Sequence, residues 1–175
     1  NNTLFHCLRD SNNKIIGNLD DYSFIIFALL ETYEATFNPD YLIRATKLAE
    51  RLVDQFYDKK TSELFFTPND GEMLITRSKN IYDGAIPSGF SMTVYAFIKI
   101  SRITGDSRLE EIANIIIEKE AGIINRMPSG MTMLLSALQL TSSQAMEIVI
   151  VGDEEKQETK SLVGLIRKQY LPNAV

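Results

Sequence analysis

Residues 23–37, SFIIFALLETYEATF, contain the pattern that decides the fold. This segment is apolar on nearly every side from Phe24 to Leu30, which is typical of a helix buried on most of its surface. After a turn at residues 38–40, the next segment has one apolar helical face and one charged face. The apolar face consists of Tyr41, Ala45, Leu48, Ala49, Leu52 and Phe56. The sequence therefore predicts a buried inner helix followed by an amphipathic outer helix.

The same pair of helices recurs 68 residues later, because Ser23 aligns with Ser91 and Ala45 with Ala113 without a gap. Residues 91–103, SMTVYAFIKISRI, form the second inner segment, and residues 108–120 form the second outer one. A third inner segment starts after Pro-Ser-Gly at 128–130, as the second follows Pro-Ser-Gly at 87–89. Repeated helix pairs of this kind close into an α/α barrel whose inner helices are parallel, with their N-termini at one mouth.

Short β-hairpins are predicted before the two complete helix pairs, in residues 3–18 and 63–77, where strand-like runs flank Asn, Asp and Gly. The tail differs, since residues 145–153, AMEIVIVGD, have the β-branched run of a buried strand. An amphipathic helix around Leu162, Leu165 and Ile166 follows, and residues 170–175 are predicted to pair with the first strand in parallel. We expect a mainly α protein: a portion of an (α/α)6 barrel at residues 1–144 and a small, incomplete β-α-β appendage at 145–175.

Composition excludes several classes of function. The net charge is −5 and the pI is near 5.0, which argues against a nucleic acid or an anionic membrane as partner. No apolar run is long enough to span a bilayer. Cys7 is the single cysteine and His6 the single histidine, so the sequence predicts a cytoplasmic protein with no disulfide, metal or cofactor. The missing initiator Met indicates a piece of a longer protein.

Four ordered motifs carry a family resemblance: LDDYSF at 19–24, YDGAIPSGFS at 82–91, EIVIVGD at 147–153 followed by ET, and YLPN at 170–173. Together they resemble the YyaL-like, spermatogenesis-associated, thioredoxin-domain-containing proteins, from about Arg9 onward. The resemblance departs at Phe90, where the family usually has Asn. It implies an N-terminal thioredoxin-like domain outside this chain, then a barrel similar to those of N-acylglucosamine 2-epimerases and six-hairpin glycosidases. This chain would be the C-terminal part of that barrel.

Three acids are candidates for chemistry at the barrel mouth. Asp20 and Asp21 stand where the first inner helix begins, and Asp20 aligns with Ser88, a good N-cap residue at the second. Capping needs one carboxylate, so Asp21 is left for a ligand. Asp83 lies in the connection before Ser88, where it either forms a turn with Gly84 or faces a ligand. Asp21 and Asp83 are the predicted catalytic pair, serving as acid and base in glycoside chemistry or holding sugar hydroxyls.

Further residues are candidates for substrate binding at the same mouth: Asp20, Tyr22, Tyr82, Ser88, Phe90 and Arg9. His6 is interpreted as a strand residue of the first hairpin rather than a base. The sequence leaves two functions open, a carbohydrate-processing or carbohydrate-binding barrel and a non-catalytic scaffold that docks a thioredoxin-like domain or a protein partner. It also predicts that this piece self-associates or is poorly soluble because its inner helices are uncovered. Asp83→Asn is predicted to leave the fold intact, or to stabilise it, while abolishing ligand binding or turnover in the full-length protein.

Overall fold

The computed structural model describes residues 3–10, 13–71, 76–142, 146–153, 155–171 and 174. Its helices are α1 (Leu19–Thr36), α2 (Pro39–Phe56), α3 (Gly89–Thr104), α4 (Arg108–Arg126), α5 (Thr132–Ser142) and α6 (Gln157–Ile166). Its strands are β1 (Phe5–Asp10), β2 (Asn13–Ile16), β3 (Tyr57–Asp58) and β4 (Glu63–Leu64). The described residues are therefore mainly helical, as predicted, and include two small antiparallel sheets.

Helix α3 packs between α1 and α5, and the three helices run in the same direction. At one end, the Asp20 carboxylate of α1 accepts a hydrogen bond from the first residue of α3. At the other end, Lys99 of α3 pairs with Glu34 of α1, and Arg102 of α3 donates to the Leu140 carbonyl of α5. Helix α2 packs against α1 and α4 against α3. The inner and outer pairs predicted by the repeat are thus present, with the inner N-termini at one end.

The core is centred on α3, which is buried from Gly89 to Ser101 except at the half-buried Tyr95. The short polar side chains of Ser91 and Thr93 form hydrogen bonds at the start of the helix. For example, the Thr93 hydroxyl donates to the Gly89 carbonyl at 2.7 Å. Helix α2 buries only its apolar stripe. Because each fully buried Leu, Ile or Phe side chain contributes about 1.5–3 kcal/mol, α3 is the helix that anchors this packing.

The first predicted hairpin is confirmed, since β1 pairs antiparallel with β2. Strand β4, in the first arm of the second predicted hairpin, pairs backward with β3, and farther along this arm the Phe66 N–H donates to the Ser78 carbonyl at 2.8 Å. The turn at residues 59–62 closes earlier because the Asp58 carboxylate accepts the Lys60 N–H at 2.8 Å and Ser62 adopts a left-handed conformation with φ of 54°. Residues 72–75 of the predicted second arm lie outside the described part of the chain.

The appendage contains the predicted amphipathic helix α6, but the predicted buried strand is not buried. Val149 and Val151 are 81% and 93% exposed, and among the described residues the parallel pairing is a single bridge between Met146 and Ala174. A strand is buried on both faces only where other elements pack over both faces of its sheet, and the exposure of Val149 and Val151 shows that this face is not covered. The predicted boundary at 144/145 falls outside the described residues. No helix in the described ranges is long and apolar enough to cross a membrane.

Candidate functional site

The N-terminus of α1 is capped by Asn18, not by Asp20 as predicted. Asn18 has extended backbone angles, and its N–H donates to the Asp21 carboxylate at 2.7 Å, which forms a capping box. The cap lies two residues earlier than the sequence alignment with Ser88 suggests, because the acid three residues after Asn18 completes the box. Asp21, predicted to be spare for a ligand, is therefore the acid that holds the start of its own helix.

Asp20 instead caps the neighbouring helix, since its carboxylate accepts the Gly89 N–H at 3.1 Å. Helices α1 and α3 approach so closely here that a Cβ on Gly89 would lie 2.2 Å from Asp20 Oδ1 and 2.8 Å from Asp20 Cα. Burial raises the pKa of the Asp20 carboxyl, and the charge of Asp21 raises it further, while the bond from Gly89 opposes the change. Asp20 is thus a link between two inner helices.

Asp83 links α3 to α5. Its side chain is buried, with 4% exposure. One carboxylate oxygen accepts both the N–H and the hydroxyl of Ser88 at 2.9 Å, and the other accepts the Met133 N–H at 2.8 Å and the Leu134 N–H at 3.4 Å. Ser88 is the N-cap of α3, as predicted, because its hydroxyl accepts the Ser91 N–H at 3.1 Å. The hydrogen bonds of Asp83 are made to helix ends and not to a turn at Gly84.

These contacts form one N-terminal network, which we define as Asp20, Asp83, Ser88, Gly89 and Met133. Asp83 and Asp20 accept hydrogen bonds from the consecutive residues Ser88 and Gly89, so both carboxylates lie at the N-terminus of α3. Free N–H groups and the helix dipole make a helix N-terminus an anion-binding place. Here the anions are the protein's own carboxylates, so the network occupies the groups that would otherwise bind an anionic ligand.

His6 and Asp21 form a pair that the sequence did not predict. His6 Nδ1 lies 3.0 Å from each Asp21 carboxylate oxygen, and the side chains are 55% and 25% exposed. The prediction that His6 lies on a strand is confirmed, because it belongs to β1. The Gly17 N–H donates to the Leu4 carbonyl at 2.9 Å, which brings β1 back over the start of α1. The one feature of the sequence that could have indicated the His6–Asp21 pair is an acid at the start of a helix that follows a hairpin.

The aromatic candidates lie in different environments. Tyr22 and Phe90 are 1% and 2% exposed, and the Tyr22 ring packs edge-on against Phe56 with centroids 5.3 Å apart. Both rings contribute to the core and not to a surface on which a sugar could stack. Tyr82 is 56% exposed and its ring lies beside Gly130. The Arg9 side chain is outside the described part of the structure.

Neither a group of metal ligands nor a cleft was found at the N-terminal network among the described residues. Within the described ranges, no group of three or more His, Cys, Asp or Glu residues could hold a metal ion. One cleft lies between α2 and α4, lined by Glu50, Ile100 and Arg108 among others. A second lies between the end of α1 and α6. The residues that line these two clefts do not include the N-terminal network.

Comparisons with known proteins give one consistent result. No protein-family model matches the sequence. The chain is 28% identical over 166 residues to spermatogenesis-associated protein 20 of Homo sapiens, and 27% identical over 169 residues to the protein of that name in Rattus norvegicus. These matches cover 94% and 96% of this chain and 21% of each relative. An uncharacterized Caenorhabditis elegans protein, B0495.5, is 23% identical over 95% of the chain.

The chain thus spans about a fifth of the length of the curated relatives it matches. The names of these relatives state no reaction, substrate or partner. These matches support the resemblance to the spermatogenesis-associated proteins that the sequence motifs indicate. This chain is similar, over nearly all of its residues, to part of spermatogenesis-associated protein 20.

Proposed function

We propose that this chain is a non-catalytic helical scaffold, a portion of an α/α toroid that docks a protein partner. The observation that carries the proposal is the environment of Asp83. Both of its carboxylate oxygens bond to the N-terminal groups of α3 and α5, and the side chain is 4% exposed. A general acid or base must come within hydrogen-bonding reach of a reacting atom. Asp83 would have to leave two helix ends to do so.

Glycoside hydrolysis also needs a second carboxylate across the substrate. The predicted partner, Asp21, accepts the Asn18 N–H in the capping box of α1 and contacts His6. Both acids of the predicted pair therefore stabilise helix ends. This arrangement favours a scaffold over a glycosidase.

Closure into six inner helices, docking of a thioredoxin-like domain and a cytoplasmic location belong to the same proposal. The parallel order of α1, α3 and α5 supports the toroid, because each inner helix packs beside the next one. The resemblance to thioredoxin-domain-containing proteins supports the docked domain. The single free cysteine, Cys7, supports a reducing compartment.

A second candidate function, carbohydrate binding or processing at the mouth, is favoured by the His6–Asp21 pair. The imidazole is exposed and its Nδ1 is held by a carboxylate at 3.0 Å, which is the arrangement of a general base oriented by an acid. A sugar bound beside α1 would meet this pair rather than Asp83.

A thermal-shift experiment separates the two functions. Wild type and His6→Ala are heated with glucose, mannose and N-acetylglucosamine, each in large excess. A ligand at about a hundred times its Kd stabilises a protein by roughly 2.7 kcal/mol, which is several degrees for a chain of this size. The scaffold predicts no shift in either protein. A shift in wild type that His6→Ala loses would establish the carbohydrate function and contradict the scaffold.

A further inference from the structure

The cleft between α1 and α6 lies at the opposite end of α1 from the N-terminal network. Its volume is about 290 Å³, close to the lower limit of roughly 300 Å³ for small-molecule sites. Thr36 and Phe37, at the C-terminal end of α1, form one side. Helix α6 forms the other side, and none of its residues is buried. The size of the cleft favours a small molecule over a segment of a protein.

One side of α6 lines the cleft. The residues that form this wall follow the i, i+3, i+4, i+7 spacing of a helical face: Lys160, Val163, Gly164 and Arg167. A Cβ at Gly164 would meet nothing within 4 Å, so the middle of the wall is open. The wall thus carries a cation at each end and the apolar Val163 side chain between them.

The charges that line the cleft are all positive. Lys160 and Arg167 are the charged residues among those that form its walls in the described part of the chain, although the whole chain has a net charge of −5. The Lys160 ammonium lies 2.9 Å from the carboxylate of Glu155, whose side chain is 88% exposed. Because an exposed ion pair of this kind contributes little to stability, an anionic ligand can replace Glu155 as the partner of Lys160.

Arg167 is held in place by contacts with the end of α1. Its guanidinium lies over the Phe37 ring, 5.2 Å from the ring centre, and donates a hydrogen bond to the Ala35 carbonyl. A guanidinium has five N–H donors, so others are available to a carboxylate or a phosphate, which arginine binds through two parallel hydrogen bonds. Phe37 is 43% exposed, so it also offers apolar surface beside the cation.

We propose that this cleft binds a small molecule in which a carboxylate or a phosphate is attached to an apolar ring. Lys160 and Arg167 bind the anionic group, and Val163 and Phe37 contact the ring. The anion complements the positive charge of the walls, and the ring removes apolar side-chain surface from water. The site does not depend on the scaffold function proposed above, because its residues lie outside the N-terminal network.

Isothermal titration calorimetry of the whole chain tests the site with three probes: phenyl phosphate, benzoate and inorganic phosphate. Lys160→Met removes one cation, and Gly164→Leu fills the open middle of the wall. Both changes introduce good helix formers, so α6 should be retained, which circular dichroism checks. Lys168→Met is the matched control, because it removes the same charge from an exposed lysine that does not line the cleft.

Phenyl phosphate, benzoate or both should bind wild type and the control equally, and each cleft variant at least tenfold more weakly. Binding of only one of these two probes identifies the anionic group that the site accepts. Three results overturn the proposal. The first is no binding of either probe at millimolar concentration, and the second is equal affinity in the cleft variants and the control. The third is inorganic phosphate binding as tightly as phenyl phosphate, since the ring would then contribute nothing.

Discussion

Gly89 is a residue whose lack of a side chain decides how α3 meets α1. A Cβ here would lie within 3.0 Å of the backbone N and Cα of Asp20, which cannot move as a flexible side chain can. Gly89→Ala should therefore separate the two helices and cost about 1–3 kcal/mol of unfolding free energy. Gly122 is the matched control, because it lies in α4 with open space around its Cβ position.

Gly122→Ala should be neutral or gain about 0.5–1 kcal/mol from helix propensity. Urea unfolding of the two variants measures the difference. If Gly89→Ala were as stable as Gly122→Ala, the close approach of α1 and α3 would be incorrect.

Asp20 gives a pH-dependent prediction. The pKa of its carboxyl is raised above 3.8 in the folded state by burial. Above pH 3.8, the folded protein therefore holds this proton more tightly than the unfolded chain does, and stability from this group falls as pH rises through the folded pKa. Asp20→Asn can still accept the Gly89 N–H and has no charge to bury. Its stability relative to wild type should rise between acid and neutral pH.

Solvent screening limits this gain to less than about 1 kcal/mol, because Asp20 is only half-buried. Urea unfolding at several pH values checks the sign. If the wild type instead became more stable relative to Asp20→Asn toward neutral pH, the hydrogen bond from Gly89 to the charged carboxylate would outweigh the cost of burying that charge.

Some residue roles could be predicted from the sequence and others could not. Ser88 follows Pro87 and precedes an apolar helix, so local rules identify its cap. Asp83 contacts Met133, 50 residues away, and His6 contacts Asp21 across a hairpin. Local patterns carry no information on such contacts. The presence of an aromatic residue near a predicted mouth does not tell whether its ring is exposed. Tyr22 and Phe90 could be surface rings from the sequence, but they lie in the core.

Among the elements, the helices and the β1–β2 hairpin could be predicted from the sequence, and the β3–β4 hairpin and the exposure of the tail could not. The apolar stripe of α2 and the all-round apolar α3 are determined by burial, which the sequence pattern records directly. The β3–β4 hairpin depends on the turn at Asp58, where a side chain accepts a backbone N–H two residues on. The strand predicted at the tail depends on neighbouring strands that the described residues do not provide.

The C-terminal ends of α1 and α3 are joined by a buried cation. The Lys99 side chain is 6% exposed and its Nζ lies 2.5 Å from Glu34 and 3.4 Å from Glu31. Burial opposes the charge of Lys99, but the contact with Glu34 outweighs it and raises the pKa above 10.5. The ammonium thus contributes stability that is complete below pH 10.5 and is lost as pH rises through the folded pKa.

Lys99→Ala should cost about 2–4 kcal/mol, because it opens a cavity and leaves two neighbouring carboxylates without their cation. Lys47→Ala, at an exposed position of α2, should change stability by no more than about 0.5 kcal/mol. Guanidinium unfolding at neutral pH compares them. Equal stabilities would mean that the C-terminal ends of α1 and α3 do not depend on this cation.

At the scale of the whole molecule, the repeat predicted the parallel row of inner helices but not the role of its N-terminal end. The sequence places three acids at that end and suggests a catalytic mouth. The structure uses Asp20 to join α1 to α3 and Asp83 to join α3 to α5, so the acids hold the row together. Chemistry and capping require the same residue types at a helix start, and the sequence could not separate them.

The unfolding free energy of Asp83→Asn tests this account most directly, with Asp40→Asn at the exposed start of α2 as the matched control. The asparagine amide would direct N–H groups at the N–H of Ser88 or Met133. We therefore expect a loss of about 2–4 kcal/mol in Asp83→Asn and of no more than about 1 kcal/mol in the control. The contradicting result is an Asp83→Asn protein as stable as wild type that has lost the ability to bind a sugar, because Asp83 would then serve a ligand and not the fold.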